Sequence, residues 1–571
     1  MNWDLTPLFN NIQEADNLLN QAKIETEEFY NIKGKLETFN VFDFQKALEK
    51  YIDINEKLSR VMTYIYLQFA TDTSKGNLLS KYETITTQIE EKLLFFELEF
   101  TKLSEEKQLQ FITHSGVNRL YLETLKKQAK HKLSENEEKI LMKKDLTSSS
   151  AFSRLFDETI SNTQFFWDGK YVSEEEILSK LHSSDRNIRK RAQISLTNGL
   201  KDKQKLFSFI YNQIKKDWKI ECELRNYSTP EEPRHISNKA SQKSVDALIN
   251  ATNESFDIVS EYYEIKKQLL GYEKLYDYDR YAPLKPIDKQ IPFEEAKEMV
   301  LNCFKNFSPV FYDIALKAFD EKWLDVYPKD GKRGGAFSHG ATPKTHPYVM
   351  LNYTNQIRDV FTLAHELGHA IHQYLAREVG YLNQHTPLTT AETASIFAEM
   401  LLFEDMKKRL DKEELLSLYG QKLEDMFATL YRQIVFTNFE RKVHNSDELS
   451  EEEFNTIWQE ENQKMFGNSV ILTSNYKLWW SYIPHFIHSP FYCYSYGYAQ
   501  LLVVSLYGLY KNGFENFENK YIEFLKSGGS IAPKEQIMIF GKNLDDENFW
   551  KEGINQIKQM LNEFKNLKDN L

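Results

Sequence analysis

Between Asn11 and about Lys143 the chain is almost free of Gly and Pro, and its apolar residues recur three and four apart. Phe44, Ala47, Leu48 and Tyr51 form one such series; Val61, Tyr64, Ile65 and Phe69 form another. The period continues through Leu78–Leu109 and predicts long amphipathic helices packed antiparallel. The pattern breaks over residues 163–173, where two short aromatic or β-branched segments flank Asp168-Gly169. That is a hairpin signal, read as a surface hairpin with no function of its own. Ser173-Glu-Glu-Glu then opens another helix with a capping pattern. The seam there divides the chain into an N-terminal helical region, 1–180, and a second region, 181–571, the alternative being one continuous unit.

The basic residues Arg186, Arg189, Lys190 and Arg191 are expected on a solvated helix face. Helical patterning resumes over Val245–Leu270 and gives way to a loop between Tyr272 and Pro292. Gly331–Gly340 is a glycine-rich turn region that lacks the phosphate-loop pattern. Pro347-Tyr-Val-Met-Leu-Asn-Tyr-Thr reads as a strand. Residues 404–465 predict charged helices with one exposed face, and Leu501-Leu-Val-Val-Ser-Leu-Tyr-Gly-Leu-Tyr predicts a buried core helix. The picture is a mainly α protein with a small β element.

Composition narrows the function classes. The chain has 571 residues, 41% hydrophobic and 27% charged, an ordinary balance for a protein with a large core. A formal net charge of −12 argues against nucleic acid as a partner, because phosphate binding needs a basic surface. Cys222, Cys303 and Cys493 are odd in number and far apart, so neither a disulfide framework nor a second metal site is indicated. Met1–Phe9 has no basic region followed by an apolar core, and nowhere is there an apolar run of roughly eighteen residues. These features predict a cytoplasmic, reducing compartment and no membrane partner. Oligomeric state is left open.

The chemistry lies in Asp359-Val-Phe-Thr-Leu-Ala-His365-Glu366-Leu-Gly-His369-Ala-Ile-His372-Gln373. Its apolar surround predicts a helix, and residues four apart on a helix share a face. His365 and His369 can therefore point two imidazoles at one metal ion, with Glu366 beside them to act on a water. A catalytic zinc site ordinarily takes a third protein ligand. Leu375 occupies the position where a third histidine would stand in the longer His-x-x-Gly-x-x-His pattern, and His372 is read as structural or substrate-facing. A carboxylate further on is the remaining option: Glu392 in Thr389-Thr-Ala-Glu392-Thr-Ala-Ser-Ile-Phe-Ala-Glu399. Thr389-x-x-Glu392 is equally a capping box. Glu399, two turns on, is placed to accept a hydrogen bond from a ligand histidine.

The pair of segments His365-Glu-Leu-Gly-His369-Ala-Ile-His372-Gln and Glu392-Thr-Ala-Ser-x-Phe-Ala-Glu399 resembles the thimet oligopeptidase superfamily, and most nearly its oligoendopeptidase F branch. The resemblance implies two helical halves enclosing a deep substrate cleft, with a strand and glycine-rich loop lining it beside the zinc helix. It also implies one Zn2+ ion on His365, His369 and Glu392, with Glu366 as general base. An exposed strand edge there could bind extended peptide by backbone pairing.

A second constellation is His485-Phe-Ile-His488-Ser-Pro-Phe-Tyr492-Cys-Tyr494-Ser-Tyr496-Gly-Tyr498. Alternation alone suggests a strand with tyrosines on one face. Tyrosine hydroxyls and a histidine nitrogen can also stabilise the oxyanion that builds up when a peptide carbonyl is attacked. The resemblance implies that His485 and one or two tyrosines do so, with Tyr492 and Tyr498 favoured. The function expected is endopeptidase action on short peptide substrates. Two alternatives stand beside it: a carboxypeptidase or dipeptidyl carboxypeptidase, which needs a cation to grip the substrate C-terminus, and a peptide-binding protein without catalysis.

Overall fold

The computed structural model describes the chain apart from Pro286, Asp288 and the Glu135 side chain. Pro286 and Asp288, both in the stretch expected to form a loop, thus lie outside the described residues. The described residues are mainly helical, with one two-stranded and one three-stranded sheet. The first sheet is the expected hairpin, β1 (Phe165–Trp167) paired antiparallel with β2 (Lys170–Val172). Asp168 and Gly169 take φ of 46° and 83° in its turn, the positive pair that a two-residue hairpin with native twist requires.

The chain folds as two compact units, each assembled from three segments. The first is Met1–Lys130, Asp288–Arg409 and Tyr510–Lys542; the second is His131–Ile287, Leu410–Leu509 and Asn543–Leu571. The seam expected near residue 180 coincides with none of these crossings. Residues 131–180 belong with the second unit because their apolar partners come later in sequence: Phe156 packs edge-on against Phe207, ring centroids 5.6 Å apart.

In the first unit, helices Ile12–Tyr30 and Val41–Thr71 begin at Asn11 and Asn40, whose side chains accept from the Glu14 and Asp43 N–H groups. Their apolar stripes meet in an aromatic core where Phe44 stacks on Phe111 with centroids 4.0 Å apart. The same core takes in Tyr348, so the N-terminal helices support the second sheet. That sheet comprises β3 (Leu324–Asp325), β4 (Phe337–His339) and β5 (Tyr348–Met350) in the order β3-β5-β4. Central β5 is parallel to β3, antiparallel to β4 and fully buried; β4 is an edge strand of this sheet.

In the second unit two expectations need correction. Arg189 is not on a solvated face: it is fully buried and donates to the buried Asp279 at 3.0 Å, with Arg186 on the other carboxylate oxygen at 2.7 Å. A carboxylate taken from water must be paired, and that requirement overrides the charge run. Lys190 and Arg191 are exposed as expected. The tyrosine-rich segment is also not a strand. It forms a short helix His485–His488, a turn, and the core helix Tyr494–Lys511. Gly497 admits Leu430 and Ile434 side chains to within 3.2 Å of where a Cβ would stand. The buried stretch beginning at Leu501 behaves as predicted.

The turn between those two helices is held from behind. Phe491 sits in the left-handed region, φ 57°, which costs a non-glycine residue free energy. Its N–H donates to Glu440 Oε1 at 2.9 Å, and its ring lies 4.6 Å from that of His444. Glu440 is fully buried, and burial, more than any neighbour, pushes its carboxyl up to about 8 from an ordinary 4.5. The folded chain then keeps a proton that the unfolded chain releases between those two values, so this group lowers stability as pH rises from about 5 to 8. Glu440→Gln keeps the acceptor and abolishes the titration. Its stability relative to the wild type should improve by on the order of 1 kcal/mol per pH unit across that window in denaturant unfolding. A difference that does not change with pH contradicts this account of Glu440.

Candidate active site

The helix carrying the histidine motif, Ile357–Ala376, begins at a capping pair: the Asp359 carboxylate accepts from the Thr354 and Gln356 N–H groups at 2.7 and 3.1 Å. Val360, Leu363, Ala364, Leu367 and Ile371 are fully buried and fix its rotation. The opposite stripe, His365, His369 and Gln373 at helical spacing, is half-buried and open to approach.

The partner helix, Thr393–Met406, crosses this one at Gly368. A Cβ on Gly368 would lie 2.5 Å from the Ala394 carbonyl oxygen and 2.6 Å from Ser395 Cα. Only glycine allows that approach, and its result is to bring Glu392, the residue just before the partner helix, over the histidine pair. Glu392 Oε2 lies 3.4 Å from His365 Nε2 and 3.3 Å from His369 Nε2. The capping alternative for Glu392 does not hold: the short helix is Leu388–Ala391, and Glu392 closes it and opens the next. Its carboxylate turns to the histidines and accepts from the Ser395 hydroxyl at 2.6 Å.

His365, His369 and Glu392 are the single group of three candidate metal ligands among the described residues, with one ligand atom from each within 4.8 Å of the others. His365 Nδ1 lies 2.6 Å from Glu399 Oε1. Nδ1 therefore carries the hydrogen, which leaves Nε2 free as a ligand atom. Two imidazole nitrogens and one carboxylate oxygen form the donor set of catalytic zinc sites that keep a fourth position open.

The electrostatics follow from burial and proximity. Burial works to raise the Glu392 carboxyl, but the hydrogen bond from His369 and the nearby charges of His369 and His365 bring it down to about 2. Burial lifts the Glu366 carboxyl above its ordinary value, with the two histidines opposing in part. Burial would lower His365, yet its bond to Glu399 and the surrounding carboxylates raise it. His372 is buried and held down to about 3, hence neutral. Glu366, His369 and His372 share a cavity of about 360 Å3 with Phe337 and Ser338 of β4, with Gln373, and with the Gln384–Thr386 loop. Gln373 ties the helix to β4, accepting from the Ser338 hydroxyl at 2.7 Å and donating to its carbonyl at 3.1 Å.

The remaining predicted residues belong to the second unit. There His485 Nε2 lies 3.3 Å from the Tyr496 hydroxyl, and the His485 ring stacks on Tyr492 with centroids 6.2 Å apart. Tyr498 is placed differently: its side chain is fully buried, its hydroxyl donates to Ser244 at 3.1 Å, and its ring meets Trp550 edge-on. That leaves it no surface for a substrate, so Tyr498 is a packing residue. Tyr496, exposed and next to His485, takes its place as the accessible hydroxyl.

Known proteins share both sequence and fold with this chain. The model of Peptidase family M3 matches residues 179–556, and that of Oligopeptidase F matches residues 99–165. An oligoendopeptidase F homolog of Borreliella burgdorferi is 31% identical over 99% of this chain and 98% of its own. Oligopeptidase PepF of Bacillus subtilis is 27% identical over 99% of this chain and 87% of its own. A solved chain from Chlamydophila abortus superposes with a TM-score of 0.92 at 25% identity, covering 99% of this chain and 98% of its own. The oligoendopeptidase-F structure from Enterococcus faecium gives a TM-score of 0.70 at 23% identity, covering 98% and 99%. The chain belongs to peptidase family M3, in its oligoendopeptidase F branch, and is a metallopeptidase.

Proposed function

We propose that the protein is a zinc-dependent endopeptidase that hydrolyses internal bonds of short oligopeptides in the cytoplasm. The observation that carries this reading is the convergence of His365 Nε2, His369 Nε2 and Glu392 Oε2, with Glu366 and His369 lining the cavity alongside. A purely structural metal site has no need of Glu366, which argues against a peptide-binding protein without catalysis. The names of the relatives, oligoendopeptidase F and oligopeptidase, support short peptides as substrates. The three cysteines, buried and unpaired, fit a reducing compartment.

In this mechanism His365, His369 and Glu392 would hold the ion, and Glu399 and Ser395 keep the His365 ring and the Glu392 carboxylate oriented. Zinc bound there would supply Lewis acidity and bring a water's pKa toward neutrality. Glu366 takes the proton from the attacking water at its carboxylate and then delivers it to the leaving amine nitrogen. Burial, which lifts the Glu366 carboxyl above its ordinary value, favours a group that both accepts and returns a proton. His485, Tyr492 and Tyr496 of the second unit, hydroxyl and imidazole donors, are assigned to the peptide substrate. The β4 edge and the cavity behind it offer backbone and neutral polar partners to an extended peptide.

The direct test is cleavage of end-blocked quenched peptides, from very short to a few tens of residues, next to a folded protein. Internal cuts in the peptides, lost with chelator and restored by zinc, are expected; trimming of free peptides alone would instead establish the carboxypeptidase reading. Glu366→Gln should retain zinc and lose turnover by roughly a thousandfold; wild-type turnover in that variant refutes the base assignment. Gly368→Ala forces the two ligand-bearing backbones apart. It should cost about 1–3 kcal/mol of stability and roughly 10–100-fold in zinc affinity, measured by competition with a chelating dye. Unchanged zinc affinity would mean that the crossing at Gly368 does not set the ligand geometry.

A further inference from the structure

Among the described residues of the second unit, Arg432 has no carboxylate partner. The helix that begins at Lys412 widens into a π-helix over Phe427–Tyr431, and the residue closing that segment is Arg432. Such segments are rare and concentrate at functional sites, since the extra residue in the turn re-aims the side chains that follow. Arg432 is half-buried, and its Nε is out of reach of water with no hydrogen-bond partner. Among the described residues its guanidinium makes no hydrogen bond and no ion pair, and its neighbour by stacking is Phe436, 5.1 Å from Cζ. A buried donor left unpaired is costly unless something else satisfies it.

Three other arginines of this unit are satisfied by carboxylates, whereas Arg234, its Nε likewise buried without a hydrogen bond, lies 5.3 Å from the Tyr492 ring. Arg189 lies 3.0 Å from Asp279, Arg225 2.7 Å from Glu138 and Arg441 2.7 Å from Glu231. Arg432 has instead a second cation, Arg280, among its electrostatic neighbours, together with Tyr281, Tyr476 and Tyr482. Arg280 is already engaged, donating to the Asp277 carbonyl at 3.0 Å and the Tyr281 hydroxyl at 3.1 Å. Tyr281, Tyr482 and His485 are half-buried, so solvent reaches this face of the unit. After burial, the charge of Arg432 is the largest influence holding the His485 imidazole below its ordinary value.

We propose that Arg432 is an anion-binding group of this unit, and that the anion is a carboxylate of the bound peptide, either its C-terminus or an acidic side chain. The planar fork of N–H donors matches a carboxylate in two parallel hydrogen bonds. The neighbouring groups are phenols and a histidine that its surroundings keep neutral, so they add donors without competing for the anion. The assignment rests on the proposed reading in which His485 and its tyrosines meet the substrate, and it adds to that reading a preference for charge.

The test uses the full-length zinc-loaded chain carrying Glu366→Gln, so that binding is read without turnover. Three fluorescein-labelled peptides of one sequence are compared by anisotropy: a free acid with an internal Glu, its C-terminal amide, and the amide with that Glu replaced by Gln. Removing the carboxylate that Arg432 holds should weaken binding about tenfold, and which step does so identifies the C-terminus or the side chain as its source. Adding Arg432→Gln should erase that step and leave the peptide without any carboxylate unchanged. Arg432→Lys should retain part of the step, and the step should shrink as salt is raised in the chain with Arg432 intact, a readout that does not depend on any Arg432 variant folding. Equal weakening of all three peptides by Arg432→Gln in a chain that still melts normally would show a structural role and overturn the proposal. So would three peptides bound alike by the chain with Arg432 intact. Failure of the wild type to cut peptides while the charge step persists would instead count against the peptidase mechanism alone.

Discussion

The site depends on one close approach: two helix backbones touch at Gly368, with the Ala394 carbonyl occupying the space a side chain would need. Everything chemical follows from that distance. Because the helices meet there, the carboxylate at the start of one falls within 3.4 Å of the two imidazoles on the other. Because Glu399 lies two turns further along the same helix, it reaches the far nitrogen of His365 and fixes which nitrogen is left free. The apolar positions Val360, Leu363, Leu367 and Ile371 hold the motif helix in the one rotation that aims His365 and His369 outward. The core and the site are therefore specified by the same helix, on opposite faces.

The motif was legible because its period is local. Two histidines four apart on an apolar helix need no tertiary information, and the long amphipathic helices of the first unit likewise declare themselves by spacing. The hairpin at Asp168-Gly169 was legible for a similar reason, since its turn needs backbone angles that those two residues supply. What was not legible depends on partners distant in sequence. The interleaved units follow from which segments share a core, as with Phe156 on Phe207. The burial of Arg189 follows from Asp279, ninety residues away along the chain.

The tyrosine segment shows how a periodic signal can mislead. Tyrosines at every second position imitate a strand, but the segment enters a core helix in which Gly497 allows close packing. On the helix Tyr494 and Tyr498 turn inward to Asn238 and Ser244, while Tyr496, with Tyr492 of the preceding turn, remains beside His485. Glu440 had no sequence signal at all. Its work is to accept one backbone N–H from a residue held in a left-handed conformation, and only the fold brings the two together.

The central claim is that His365, His369 and Glu392 together hold one zinc ion. X-ray absorption at the zinc edge on the purified full-length chain tests it most directly. The account predicts one zinc per chain, bound by two imidazoles at about 2.0–2.1 Å with oxygen completing the shell, and loss of the site in Glu392→Ala. A sulfur ligand, or an unchanged spectrum in that variant, would contradict it.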